Sequence, residues 1–290
     1  MFTDIRLNQG VERMGASRSC QPQFVRQWRL APAAHTWRWA FMRSASFVSG
    51  IGLAGVLLII CSSCSKSDAR KYFNAGTKKS ASGDYTGAIA DYDKAIQIDP
   101  NYAKAYNNRG IAKDALKDDS GAIADYTKAI DLYPEYQFAY YNRGNSEQKL
   151  RDYTSAIRDY DKAIALNPQD AAVYLNRGNT KYRQSDYAAA IADYSKAIEL
   201  NSQYDKAYNS RGAAKNHAED FAGAIADCTK AIGLNPKYAE AYNNRGTAKR
   251  GLNDFDGAMS DYDKAIELNP QYANAYSNRM AVEVLKKGMK

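Results

Sequence analysis

An all-α fold, a solenoid of stacked helix pairs, is what the sequence predicts from residue 69 onward, and three observations predict it. The first is a fixed period. Tyr72, Tyr106, Tyr140, Tyr174, Tyr208, Tyr242 and Tyr276 are spaced by 34 residues, as are Gly76, Gly110, Gly144, Gly178, Gly212 and Gly246. Such a period marks a unit that buries its apolar face only against its neighbours. The second is helical spacing within the unit: Ala122, Tyr126 and Ala129 form an i, i+4, i+7 stripe. The third is punctuation. Prolines 100, 134, 168, 236 and 270 keep the beat, with Ser202 in the one gap, and Asp84, Asp118, Asp152, Asp186, Asp220 and Asp254 stand where a second helix would need a cap.

The chain before residue 69 is a different kind of sequence. Trp28, Trp37 and Trp39 are its three tryptophans, whereas the first of its 23 tyrosines is Tyr72. Residues 47–60, FVSGIGLAGVLLII, carry no charge. That run is shorter than the roughly 20 residues of a membrane span and suits the apolar core of an export signal. From Met42 the stretch MRSASFVSGIGLAGVLLIICSSC resembles a bacterial lipoprotein signal. The resemblance implies acylation of Cys64, which follows Ser62 and Ser63, although Cys61 stands where that motif prefers Leu. Taking Cys61 instead supplies Leu58 but puts bulky Ile60 at the cut. An uncleaved anchor and an ordinary cleaved signal are the remaining readings.

The expected order is a leader at 1–41, upstream of a true start at Met42, then a signal peptide or membrane anchor at 42–64, a linker at 65–68 and repeats from 69. The protein is therefore expected to be membrane-anchored and extracytoplasmic, in a bacterial periplasm or cell envelope. GIGLAG at 50–55 matches a dinucleotide fingerprint, but no βαβ pattern surrounds it and it carries no weight.

Each repeat reads as two helices. An Asn-Pro pair is expected to start the first, where Pro loses no intrahelical bond. Tyr106 and Gly110, four apart, share a face of it. Small residues let the two helices approach closely, which accounts for a glycine inside a helix despite its cost of about 1 kcal/mol. These residues resemble the tetratricopeptide repeat, with its aromatic at position 4, Gly at 8, Ala at 20, aromatic at 24, Ala at 27 and Pro at 32. Counted from Ala69, six repeats run 69–102, 103–136, 137–170, 171–204, 205–238 and 239–272, and a capping helix occupies 273–290. The resemblance implies a right-handed superhelix, an α-solenoid whose first helices line a concave groove.

The departures from that family's pattern carry information. Position 11 is Lys113, Glu147, Lys181, Lys215 or Lys249 instead of Tyr, and tyrosines at position 34 (102, 136, 204, 238 and 272) are expected to refill the volume. Met280 replaces Gly in the last helix, where lysines cover the exposed end.

Position 7, usually Leu, is Arg109, Arg143, Arg177, Arg211, Arg245 and Arg279, while the first repeat has Ala75. Position 23 is Asp91, Asp125, Asp159, Asp193, Asp227 and Asp261. Pairing within a repeat orphans an Asp at one end and an Arg at the other; pairing each Asp with the next repeat's Arg orphans neither. The expectation is a structural ladder, Asp91–Arg109, Asp125–Arg143, Asp159–Arg177, Asp193–Arg211, Asp227–Arg245 and Asp261–Arg279, since a guanidinium fork holds a carboxylate bidentately. The alternative is ordinary surface pairing of each Asp with the lysine three residues on (94, 128, 162, 196, 230 and 264).

Catalysis finds no footing. His35 and His217 are the only histidines, and no nucleophile set, phosphate loop or metal-ligand cluster is seen, so neither enzyme activity nor a cofactor is expected. From Lys66 onward 33 basic residues face 30 acidic ones, interleaved in sign, which gives no basic face for nucleic acid. Cys228 stands where sister repeats have Tyr and reads as an inert core thiol.

Binding remains. In the resembling family, groove contacts come from first-helix positions 2, 5, 9, 12 and 13. The matching residues are Lys104, Asn107, Tyr141, Asn145, Leu175, Asn179, Tyr182, Arg183, Lys206, Asn209, Asn243 and Arg250. The resemblance thus implies a non-enzymatic scaffold for an extended peptide or partner protein. A self-assembling structural protein stacked through its last helix and a soluble intracellular adaptor are the alternatives.

Overall fold

The computed structural model describes the backbone from Gly50 to Gly288 and side chains from Lys66. The leader at 1–41 and the whole expected signal at 42–64, Cys61 and Cys64 included, lie outside the described side chains. Among the described residues there are thirteen helices and no strand. They run α1 (Gly50–Ala81), α2 (Tyr85–Ile98), α3 (Ala103–Ala115), α4 (Asp119–Leu132), α5 (Gln137–Lys149), α6 (Tyr153–Leu166) and α7 (Ala171–Arg183). They continue as α8 (Tyr187–Leu200), α9 (Asp205–His217), α10 (Phe221–Leu234), α11 (Ala239–Gly251), α12 (Phe255–Leu268) and α13 (Ala273–Gly288). The helix pairs fall in the expected register, and the fold is the all-α, right-handed repeat superhelix. Each first helix also touches the next first helix, whereas successive second helices do not touch. First helices therefore form the inner, concave layer and second helices the outer one.

The expected linker is helical. α1 runs without a break from Gly50 to Ala81, because residues 56–75 contain neither Gly nor Pro to interrupt it. Among the described residues no helix is long and apolar enough to cross a membrane.

The caps divide differently from expectation. Every second helix is capped by the expected aspartate; Asp84, for instance, accepts from the Gly87 N–H at 2.9 Å. The Asn-Pro pairs, however, end the second helix instead of starting the first. Asn167, Asn201, Asn235 and Asn269 are C-caps, and each side chain accepts from the N–H two residues on, as Asn201 does from Gln203 at 3.0 Å. Proline cannot continue a helix, and it follows the cap directly at Asn167, Asn235 and Asn269, with Ser202 in its place after Asn201. The first helix starts three residues later behind a tyrosine that makes no side-chain cap bond, except that Asp170 caps α7.

The core is a file of small residues and rings. Ala88, Ala95, Ala122, Ala129, Ala156, Ala163 and their counterparts are fully buried. A Cβ added to Gly178 would stand 2.7 Å from the Tyr194 ring, so the position 8 glycine exists to seat the position 24 tyrosine. The turn between the helices takes a left-handed residue at position 15: Gly83, Lys117, Arg151, Ser185, Glu219 or Asn253, with φ between 61° and 85°. Only the first repeat uses the residue that tolerates this conformation without strain. Arg151→Gly is expected to add about 0.5–1 kcal/mol, and Gly83→Ala to cost a similar amount. Urea unfolding of the two variants checks both signs.

Candidate interaction site

The recurrent arginines do not form the expected ladder. Arg109 donates from Nε and Nη2 to Asp125 of its own repeat at 2.8 and 2.5 Å. Arg143–Asp159, Arg177–Asp193, Arg211–Asp227 and Arg245–Asp261 repeat that bidentate fork. The expected pairs Asp91–Arg109, Asp125–Arg143, Asp159–Arg177, Asp193–Arg211, Asp227–Arg245 and Asp261–Arg279 are not formed. Positions 7 and 23 face each other across one antiparallel pair, so the fork closes within the repeat.

The seam is still crossed, by the third nitrogen. Nη1 of Arg109 and of Arg177 reaches Asp93 and Asp161 of the preceding repeat at 2.5 Å. Arg143, Arg211 and Arg245 reach Thr127, Ser195 and Thr229 in the same way at 3.0–3.3 Å. Neither terminal residue is orphaned: Lys79 pairs with Asp91 at 2.7 Å, and Arg279 turns to Asp263. The alternative surface pairing fails too, since Lys196 and Lys264 pair with Glu199 and Glu267. Each guanidinium of the five forks also lies 5.4–5.7 Å from the ring of the tyrosine three residues earlier.

Position 11 completes this network. Lys113, Lys181, Lys215 and Lys249 stand 2.8–2.9 Å from the same buried aspartates. The third repeat breaks the rule with Glu147, which is buried and whose Oε2 has no hydrogen-bond partner. Burial, and then the charge of Asp159, push its carboxyl up to about 7. The tyrosines of position 34 do not refill position 11. Tyr102 packs on Phe73 with ring centroids 5.0 Å apart, and the Tyr238 hydroxyl accepts from Asn209 at 3.2 Å, both at position 5.

Half of the expected groove residues are interior. Asn107, Tyr141, Asn145, Leu175, Asn209 and Asn243 are buried. The asparagines pin repeats together: Asn142 donates to Asn107 at 3.1 Å, Asn244 to Asn209 at 2.9 Å and Asn278 to Asn243 at 2.9 Å. Asn176 makes the same reach to the Tyr141 hydroxyl at 2.8 Å and also to Asn145. Leu175 cannot accept a bond, and position 6 of the next repeat is correspondingly Ser210 instead of Asn. Buried amides are held by such partners because an unpaired one costs roughly 1–3 kcal/mol.

The other half stays at the surface. Lys104, Arg183 and Lys206 are exposed, and Asn179, Tyr182 and Arg250 are partly so. Asn179, Tyr182 and Arg183 share one face of α7. The Tyr182 ring is held edge-on by Tyr187 and His217, with centroids 5.4 and 5.5 Å away, while His217 stacks on Tyr187 at 4.5 Å and 7°. Sequence reasoning gave His217 no contact; its place four residues after the Ala213 position and across from Tyr187 becomes visible only when positions 13 and 17 of adjacent repeats are compared. Lys149 and Asp119 occupy the same pair of positions two seams earlier and form an ion pair at 3.2 Å.

Asp114 is a second buried acid the sequence did not mark. It accepts from Ser146 at 2.9 Å and Tyr126 at 3.1 Å, with Lys149 at 3.2 Å, and burial pushes its carboxyl up to about 6. Cys228 is fully buried, and burial raises its thiol to about 12, a poor nucleophile. Among the described residues no group of three or more His, Cys, Asp or Glu side chains could hold a metal ion.

Family models described as TPR repeat or tetratricopeptide repeat match residues 80–113, 103–136, 141–205 and 239–272. No curated protein matches the chain. Among solved structures, YrrB, described as a TPR protein with an unusual peptide-binding site, is 22% identical with a TM-score of 0.56, over 65% of this chain and 97% of its own. PilF of Pseudomonas aeruginosa is 17% identical with a TM-score of 0.66, over 75% and 99%. PilW, described as a widely conserved type IV pilus biogenesis factor, is 18% identical with a TM-score of 0.65, over 72% and 97%. Identities of this size speak to the fold, and the fold, the register and the family models agree. The chain belongs to the tetratricopeptide-repeat proteins.

Proposed function

We propose that the protein is a non-enzymatic interaction scaffold that holds an extended peptide or a segment of a partner protein along its concave layer. The observation that carries this reading is the face of α7, where Asn179, Tyr182 and Arg183 lie together and Tyr187 and His217 hold the Tyr182 ring. A pre-positioned aromatic loses little entropy on binding, an amide can both donate to and accept from a peptide backbone, and Tyr and Arg are common anchors of interfaces. The peptide-binding site named for YrrB and the pilus role named for PilW support an interaction role for this architecture.

The reading includes attachment to a membrane outside the cytoplasm, supported by the stretch from Met42 to Cys64. Palmitate labelling of the full chain, lost in Cys64→Ala, tests that part. A photo-crosslinking residue at position 182 should capture a partner in cells, and one at Lys128 on the outer layer should not. Equal capture from both positions would reject the groove. Tyr182→Ala should weaken a captured partner by about 1–2 kcal/mol, read by titration calorimetry.

A further inference from the structure

Charges that alternate along the sequence are sorted by the fold. From Lys66 onward 33 basic residues face 30 acidic ones. Over the six repeats, positions 2, 9, 12 and 13 of the first helices, those expected to face the groove, hold six of the basic residues and two of the acidic ones. That leaves 27 basic and 28 acidic residues elsewhere, so the whole positive excess lies on the concave layer. Part of it is already matched: Lys149 pairs with Asp114 and Asp119 at 3.2 Å. Arg250 is the opposite case. On the same helix, α11, Arg245 and Lys249 share Asp261 at 2.6 and 2.8 Å. Arg250, one residue further, is partly buried and has no carboxylate within ion-pair distance among the described residues. Glu240, the second acid of the set, lies in the first turn at the other end of α11, where its charge acts on Tyr238 and Tyr272. Drawing a guanidinium partly out of water with no counter-charge costs free energy that no contact of this chain offsets.

We infer that the segment held along the concave layer is acidic: an extended stretch of a partner protein that sets one carboxylate on Arg250 and an aromatic or aliphatic side chain against Tyr182. This rests on the groove reading above and adds its chemistry. Tyr182, Asn216 and Arg250 occupy position 12 of three successive first helices, α7, α9 and α11, and so form one file along the inner layer. Packed helices lie roughly 8–10 Å apart, so the file is about 16–20 Å long, the span of about five or six residues of extended chain. A carboxylate can take two bonds from one guanidinium, which makes Arg250 the residue that selects an acid over an amide. Nucleic acid fits less well, because its phosphates recur about every 3.4 Å along a strand and the unmatched cations here are about one per repeat.

The probe is an array of random synthetic decapeptides built from Phe, Leu, Ser, Asn, Lys and Asp, overlaid with the full chain in detergent. Bound peptides should carry Asp at least about fivefold more often than Lys, with Phe or Leu about six residues from the Asp. The strongest binder, resynthesised with fluorescein and titrated by anisotropy, should lose about tenfold in affinity to Arg250→Ala and less to Arg250→Lys, which keeps the charge. Its Asp→Asn analogue should bind more weakly and be indifferent to Arg250→Ala. Binders that depend on Tyr182 but carry Asp no more often than Lys would overturn the acidic preference and leave the groove standing. No binder up to about 1 mM, or binders indifferent to Tyr182→Ala, would remove the groove and this inference with it. A fluorescein-labelled oligothymidine that binds more tightly than the best peptide, and loses that affinity in Arg250→Ala, would assign the cations to phosphates and overturn it equally.

Discussion

Arg143→Leu is expected to destabilise the solenoid by about 3–5 kcal/mol, and Arg177→Leu by only about 1–2. The two arginines make the same bidentate fork, to Asp159 and Asp193. Both aspartates are buried, so removing the cation strands a carboxylate away from water. The difference lies at position 11. Asp193 keeps Lys181 at 2.8 Å when its arginine is lost, whereas Asp159 is left beside Glu147, a second acid. Surface pairing would put both values under about 1 kcal/mol, because exposed ion pairs are screened and mobile. Urea unfolding with probes in different repeats measures the pair, since a repeat array can melt in parts. Equal losses for the two variants would show that position 11 contributes nothing to holding the aspartate.

The same network shows how far the sequence reaches. The fold was legible because a 34-residue period fixes both the helix pairing and the register, and no long-range guess is needed once each unit contacts only its neighbours. The arginine and aspartate were legible as partners, but their pairing was not. Counting orphans at the two ends considered those two residue types alone, and Lys79 and Asp263 settle the ends from positions outside the count.

The groove failed for a different reason. Family positions mark which way a side chain points, not whether a neighbouring repeat covers it, so Asn107, Asn209 and Asn243 were expected to meet a ligand when they meet asparagines 35 residues away. One seam carried a signal, Ser210 in place of Asn opposite Leu175, but the first seam keeps Asn108 opposite Phe73, so the two positions do not change together throughout. The third repeat holds a comparable signal. Where Lys becomes Glu147 at position 11, the small residue usual at position 22 becomes Arg158, moving the cation from one helix to the other.

Glu147→Lys should therefore stabilise the protein, by at least about 2 kcal/mol at pH 8, and Glu147→Gln should flatten its pH dependence. The Glu147 carboxyl titrates near 4.5 when unfolded and is raised to about 7 in the fold, first by burial and then by Asp159, with Asp152 adding to the rise and Arg143 and Arg158 opposing it. Between those two values the folded chain holds a proton that the unfolded chain has released. Stability consequently falls as pH rises through that window, and the loss is complete above about pH 7. At 1.36 kcal/mol per unit the loss amounts to at most about 3 kcal/mol.

Asp114, raised to about 6, acts in the same direction but is common to wild type and variant, so it cancels in the comparison. Lysine at 147 removes the buried acid and restores the cation that Lys181 supplies to Asp193. A side chain at position 19 does not obstruct this, because Lys181 makes its contact with Ala189 there, as Ser155 stands in the third repeat. Unfolding free energies at pH 5 and pH 8 should differ by about 2–2.5 kcal/mol more in wild type than in Glu147→Gln. Parallel losses in the two proteins would mean that Glu147 is already ionised in the fold, and that Arg143 or Arg158 compensates its charge across the gap the structure leaves at Oε2.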